Sequence, residues 1–208
     1  MSAVAPRPAH LDVGQLPVDR SWFLQVNHVA RSTPWLHGAA LAYASYGVVL
    51  FALLLLGGWW AARRRRDAGA VAAALWAPVG MLLAVALNQP LGAWVAERRP
   101  YDVLPHVLVL ASRTTDFSFP SDHAVMAGAV AAGLLAADRR WGLVALVAAV
   151  LMACTRVYVG AHFPGDVLAG LAFGAAVTLL GLLLVRRPLR LLVERLEDTR
   201  LRVLLVAG

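Results

Sequence analysis

The chain of 208 residues is 60% hydrophobic and only 15% charged, with a mean hydropathy of +0.68. Soluble domains carry about 25% charged residues, so this composition excludes a soluble enzyme, a disordered tail and a fibrous protein, and the length suits one domain. The net charge of +7 comes from 19 basic residues, all arginine, against 12 acids. They sit in short clusters between long apolar runs, the pattern of a membrane protein and not of a nucleic-acid partner.

Residues 1–18, with Pro6, Pro8 and Pro17, lack the basic start and apolar core of a signal peptide and read as a flexible leader. Residues 19–208 read as a single membrane-embedded domain. Between Asp19 and Arg31 the residues Trp22, Phe23, Val26 and Val29 recur at helical spacing and predict a short helix in the outer interface. A crossing needs roughly 20 mostly apolar residues, and the runs 35–62, 68–96, 141–155 and 167–185 meet or approach that. A further run, 124–137, is shorter and must borrow Ser121, Asp122 and His123, which sets those polar residues near a membrane face. From Arg186 onward Leu191, Leu192 and Leu196 alternate with charges and predict an amphipathic helix on the inner surface. The expected architecture is all-α: a polytopic membrane helix bundle of about five transmembrane helices plus a short outer interfacial helix and an amphipathic C-terminal helix.

Arginines concentrate on the cytoplasmic side of membrane spans. Arg63 to Arg66 close the first span, Arg139 and Arg140 the third, and Arg186, Arg187 and Arg190 the fifth. These ends alternate as five crossings require, so the amino terminus lies outside and the carboxyl terminus inside. Cys154 is the lone cysteine and allows no internal disulfide.

Three polar groupings then fall together on the outer face: Glu97-Arg98-Arg99-Pro100-Tyr101, Ser118-Phe119-Pro120-Ser121-Asp122-His123, and Thr155-Arg156 with His162 and Asp166. Taken singly, Ser121, Asp122 and Asp166 suit helix caps, Arg98 and Arg99 suit snorkelling flanks, and His123 suits an interface hydrogen bond. Their convergence favours a site, because ionisable groups at membrane depth are costly. Arginine forks match phosphate oxygens, which makes Arg99 and Arg156 candidate clamps. A helix starting at Ser121 would aim free N–H groups at the same anion. His162 can attack phosphorus if a carboxylate holds its other ring nitrogen, and Asp166 lies four residues on. No carboxylate cluster or His-x-x-x-His spacing suits a metal.

Arg99-Pro100, Pro120-Ser121-Asp122-His123 and Arg156, His162, Asp166 resemble, in order and spacing, the three-part signature of the type-2 phosphatidic acid phosphatase superfamily. Three departures stand out. Gly92 falls where that family has a lysine, Asp122 replaces a glycine, and Thr155 replaces a serine. Arg98 or the Asn88-Gln89 pair are candidates to compensate for the lysine. The run Asn88-Gln89-Pro90-Leu91-Gly92, with the Asp122 variant, is similar to the bacitracin-resistance type of undecaprenyl-diphosphate phosphatase.

The resemblance implies a bacterial plasma-membrane enzyme, its site outside, that cleaves a lipid diphosphate and recycles a cell-wall lipid carrier. It implies that His162 forms a phosphohistidine oriented by Asp166, and that His123 acts as acid and then base. Arg99, Arg156, Ser121 and the backbone at Asp122 and His123 would hold the phosphate, with Arg98 as an added candidate and no metal or cofactor. Expected partners are the lipid diphosphate and membrane lipids, with no nucleic acid. Leu91, Trp94 and Val95 are candidates to border the approach of the lipid tail, while His106, Arg113 and Asp116 read as loop-solvating. The alternatives are a phosphatase for another lipid phosphate and a non-catalytic anion-binding membrane protein; a vanadate-dependent haloperoxidase sharing this pocket is disfavoured because such proteins lack these spans.

Overall fold

The computed structural model describes residues 16–196, 199–200 and 205. Most of the expected leader, residues 1–15, lies outside the described residues. All regular structure among the described residues is helical. In chain order these are α1 (Pro17–Ser32), a 3-10 turn (Pro34–Leu36), α2 (His37–Arg64), α3 (Ala68–Val95), α4 (Pro100–Val103), α5 (Asp122–Ala137), α6 (Arg139–Tyr158) and α7 (Pro164–Leu196).

Among the described residues four stretches, built on α2, α3, α6 and α7, are long and apolar enough to cross a membrane. The fifth expected span, α5, has 16 residues and is about 24 Å long at 1.5 Å per residue. It is short because protein surrounds it: α5 packs on α3, α6 and α7, and Val125, Ala127, Ala129, Val130 and Leu134 are fully buried. Small residues let its neighbours come close, as in other membrane bundles. A Cβ on Gly174 of α7 would lie 2.0 Å from the Val125 carbonyl, and one on Gly128 would lie 2.3 Å from the Leu171 carbonyl.

The inner corners are closed by acidic caps. Asp67 accepts from the Gly69 and Ala70 N–H groups at 2.8 and 3.3 Å, and Asp138 accepts from Arg140 and Trp141 at 2.8 and 3.1 Å. Each satisfies helix-start donors that would otherwise lack partners. Arg139 and Arg140 open α6 and do not close α5, which leaves the expected sidedness unchanged. No separate C-terminal helix forms at Arg186; α7 runs through to Leu196, with Val193 buried against α3. In these last turns Val193 and Leu196 pack against the bundle, while Leu191 and Leu192 are exposed.

Helix α1 forms where the apolar spacing predicts one, and contacts with the rest of the chain hold it. Its Asn27 side chain donates to the Leu108 carbonyl at 2.8 Å and accepts from the Leu108 N–H at 3.0 Å. Arg31 donates to the His106 carbonyl, and Phe23 stacks edge-on against Phe163 with centroids 5.4 Å apart.

Candidate active site

Two backbone bonds and one from a guanidinium join the ends of the helices that carry the polar groupings. The Ser118 N–H donates to the Glu97 carbonyl at 2.9 Å, and the Ser121 N–H donates to the Asp166 carbonyl at 3.2 Å. Arg99 Nη1 donates to the Ala161 carbonyl at 2.9 Å. Each bond joins a different pair among the three polar groupings. The chain after α6 turns through Gly160, whose φ of +78° is the left-handed conformation that glycine adopts without strain. A Cβ there would lie 2.5 Å from the Leu108 carbonyl. That turn delivers His162 to the junction, where it is 2% exposed.

His162 has distinct partners at its two nitrogens. Nδ1 lies 2.8 Å from the Ser118 carbonyl, which can only accept, so Nδ1 carries the proton. Nε2 therefore keeps its lone pair, and it faces Arg99 Nη1 at 3.2 Å and Arg156 Nη2 at 3.4 Å. Burial, and then the charges of Arg156 and Arg99, hold the imidazole well below its ordinary value and keep it neutral.

Asp166 lies beside His162, as the spacing predicts, but meets it less directly than a hydrogen bond would. Its Oδ2 is 3.5 Å from His162 Nδ1, beyond a good hydrogen bond. It accepts instead from the Ser118 hydroxyl at 2.5 Å and from the Phe163 N–H at 2.9 Å. Asp166 is the third residue of α7, and its bond to Phe163 is the reach-back half of a capping box. One residue thus caps α7 and bonds Ser118, whose carbonyl meets His162 Nδ1.

Ser121 occupies the cap position of α5 but makes no side-chain cap bond. Its hydroxyl and Arg156 Nε are buried without a hydrogen-bond partner. Two buried donors left unsatisfied, one of them on a guanidinium that faces His162, suit an anion. His123, partly open at the start of α5, lies within electrostatic range of Arg156, His162 and Arg99.

Asp122 accepts at one oxygen from Asn88 at 2.6 Å and from Gln89 at 3.0 Å, and Asn88 also donates to the Pro120 carbonyl at 3.1 Å. The Asn88-Gln89 pair therefore binds the start of α5. Arg98 is exposed, donates to the Asp102 carbonyl at 2.7 Å, and stands apart from the cluster. At Gly92 a Cβ would lie 3.2 Å from the Phe119 carbonyl, so a larger side chain there requires an adjustment. Of the residues expected to border the tail, Trp94 is 70% exposed while Val95 is buried and unable to do so.

Among the described residues no three His, Cys, Asp or Glu side chains form a group suited to a metal. Asp116 is no mere loop-solvating residue: its carboxylate pairs with Arg99 Nη2 at 3.0 Å and its carbonyl accepts from Arg99 Nε at 3.3 Å. Burial pushes its carboxyl up, but the Thr114 hydrogen bond and the Arg99 charge outweigh this and hold it below its ordinary value. Arg113 stacks over Tyr101, 5.3 Å from the ring centroid, and His106 is exposed.

Residues 73–190, more than half of the chain, match the PAP2 superfamily. An undecaprenyl-diphosphatase of Sulfolobus acidocaldarius is 32% identical over 49% of this chain and 50% of its own length. The undecaprenyl-diphosphatase BcrC of Bacillus subtilis is 32% identical over 47% and 50%. The chain spans about half the length of these curated relatives. The crystal structure of a PAP2-type phosphatidylglycerolphosphate phosphatase from Bacillus subtilis superposes with a TM-score of 0.57 at 21% identity, over 90% of this chain and 92% of that one, a likeness of fold. By its family match, its membrane-helix bundle and the order of its three polar groupings, the chain belongs to the PAP2 superfamily.

Proposed function

We propose that the chain from α1 onward is one lipid phosphatase domain that hydrolyses a polyprenyl diphosphate, undecaprenyl diphosphate in a bacterium, to the monophosphate. The observation that carries this reading is the unprotonated Nε2 of His162 facing Arg99 and Arg156 at 3.2 and 3.4 Å. A neutral nucleophilic nitrogen inside a cationic pocket meets an anion's phosphorus, and the arginines stabilise the charge spread over its equatorial oxygens. The undecaprenyl-diphosphatase relatives support the choice of substrate.

In the first step His162 Nε2 attacks the terminal phosphorus, an N–P bond forms and the P–O bond to the lipid phosphate breaks. His123 supplies a proton to the departing oxygen. In the second step His123 takes a proton from water, the water oxygen attacks phosphorus, the N–P bond breaks and inorganic phosphate leaves. Arg99, Arg156, Ser121 and the first N–H groups of α5 hold the phosphoryl oxygens, and none of these steps calls on a metal. Arg63 to Arg66, Arg139, Arg140, Arg186, Arg187 and Arg190 lie at the end opposite the cluster, which supports an extracytoplasmic site in a plasma membrane.

The test is phosphate release from polyprenyl diphosphate by purified protein with EDTA present, beside His162→Ala. The expected result is undiminished activity with EDTA and a loss of at least about a thousandfold in the variant, as for a covalent nucleophile. Activity abolished by EDTA, or retained by His162→Ala, overturns the reading. Phosphatidate and phosphatidylglycerophosphate in the same assay identify any preference for another lipid phosphate.

A further inference from the structure

Helix α1 carries a buried carboxylate outside the chemistry described above. Asp19 is 6% exposed, and its Oδ1 accepts the Gly165 N–H at 2.8 Å. Its Oδ2 is buried without a hydrogen-bond partner. Such a group costs stability unless its surroundings compensate it. Burial and the nearby Asp166 push its carboxyl up, while the Gly165 bond pulls it down.

The Gly165 N–H belongs to the first turn of α7, where helix donors lack partners within the helix. The next residue is Asp166, whose Oδ2 accepts from Ser118, the residue whose carbonyl holds His162 Nδ1. The contact is close: a Cβ on Gly165 would lie 2.9 Å from Asp19 Oδ2. Asn27, on the same helix, is bonded twice to Leu108 and touches neither α7 nor Asp166 by any of these bonds. The two anchors of α1 therefore differ in what they hold.

We infer that Asp19 is a positioning residue for the reaction: through the Gly165 N–H it fixes the first turn of α7, and so sets Asp166, Ser118 and the attacking His162. The inference rests on the functional reading for its kinetic consequence and on the geometry alone for its structural one. The contribution is the hydrogen bond and not the charge, since an asparagine oxygen accepts the same N–H. Catalytic groups are sensitive to displacements of this kind, with a misplacement of about 1 Å costing up to about a hundredfold.

The experiment compares Asp19→Ala, Asp19→Asn and Asn27→Ala in purified full-length protein. It measures kcat and KM on polyprenyl diphosphate, inhibition by inorganic phosphate, and amide hydrogen exchange of the peptide covering residues 163–169. In Asp19→Ala, kcat is expected to fall about tenfold with KM and phosphate inhibition unchanged, and exchange at 163–169 to quicken. Asp19→Asn restores kcat to within about twofold, and Asn27→Ala lowers stability while leaving kcat as in wild type. If Asp19→Ala does not accumulate folded, Gly165→Ala disturbs the same contact from the other side and is expected to lower kcat.

An unchanged kcat in Asp19→Ala overturns the inference, as does an equal fall in Asn27→Ala or unchanged exchange at 163–169. Wild-type protein that releases no phosphate from the lipid diphosphate defeats the functional reading instead, and the exchange comparison then decides the inference by itself.

Discussion

At the inner end of the bundle Asp138 caps α6 and pairs with Arg65 at 2.7 Å, while Arg65 itself remains 51% exposed. At the outer end Arg99 is 5% exposed and converges with Arg156 on one imidazole nitrogen. The same residue types serve both ends. Inside, Asp67 and Asp138 each complete a helix start and Arg65 extends to water, while Arg63 lies over Trp59; outside, Arg99 and Arg156 meet at His162 while the Ser121 hydroxyl and Arg156 Nε lack partners. What distinguishes a site from a well-capped corner is this unbalanced convergence, and neither burial nor charge alone provides it.

Arg99→Ala and Arg156→Ala should lower kcat/KM on a lipid diphosphate by about a hundred- to a thousandfold, the usual cost of removing a donor aimed at developing charge. Arg65→Ala should leave kcat/KM unchanged, and a comparable loss there would erase the contrast between the two ends. His123→Ala sharpens the outer half. A lipid diphosphate releases a phosphate monoester whose second pKa is about 6, whereas a monophosphate releases an alcohol that needs a proton. The variant should lose about a hundredfold on monophosphates and roughly tenfold on diphosphates, and equal losses would remove the acid role.

A third check uses pH. Burial and the two arginines hold His162 well below 6.5, so it remains unprotonated as pH falls through that value. The acid limb of kcat/KM that belongs to His162 should therefore lie below pH 6.5. The unfolded chain binds this proton first, so the same shift lowers folding stability as pH drops below 6.5. Replacing Arg156 by Gln should move the limb upward in a pH–rate profile. The smallest effect belongs to the inner end: Asp138→Ala should cost about 1 kcal/mol in a denaturation measurement with kcat unchanged.

The residues proposed to bind and react were legible because their motifs are short. Arg99-Pro100, Ser121 with His123, and Arg156 with His162 and Asp166 keep fixed local spacing on helix ends, and apolar run lengths located those ends. The supporting contacts were not legible for a physical reason. His162 Nδ1 is held by a backbone carbonyl 44 residues away, which every residue type possesses, and Asp19 meets Gly165 across 146 residues. Asp116 reads as a loop acid by its position, and its side chain is indeed 60% exposed, yet one oxygen reaches Arg99. Arg98 and Arg99 are adjacent and identical in type, and only the fold separates the buried one from the exposed one. The single long α7 was masked by Pro188 and the arginines around it, which mark a break in sequence but not in this packed helix.

Ser121 leads into α5 and Asp166 opens α7, so the width of the cradle follows from how closely those two helices lie. That spacing is set by positions lacking side chains. A Cβ on Gly170 would sit 2.9 Å from the Ser121 carbonyl, and Gly174 and Gly128 allow still less clearance further down. A single methyl added along this seam would wedge the helices apart and widen the gap that, on the proposed reading, a phosphoryl group must span, with every candidate side chain still in place.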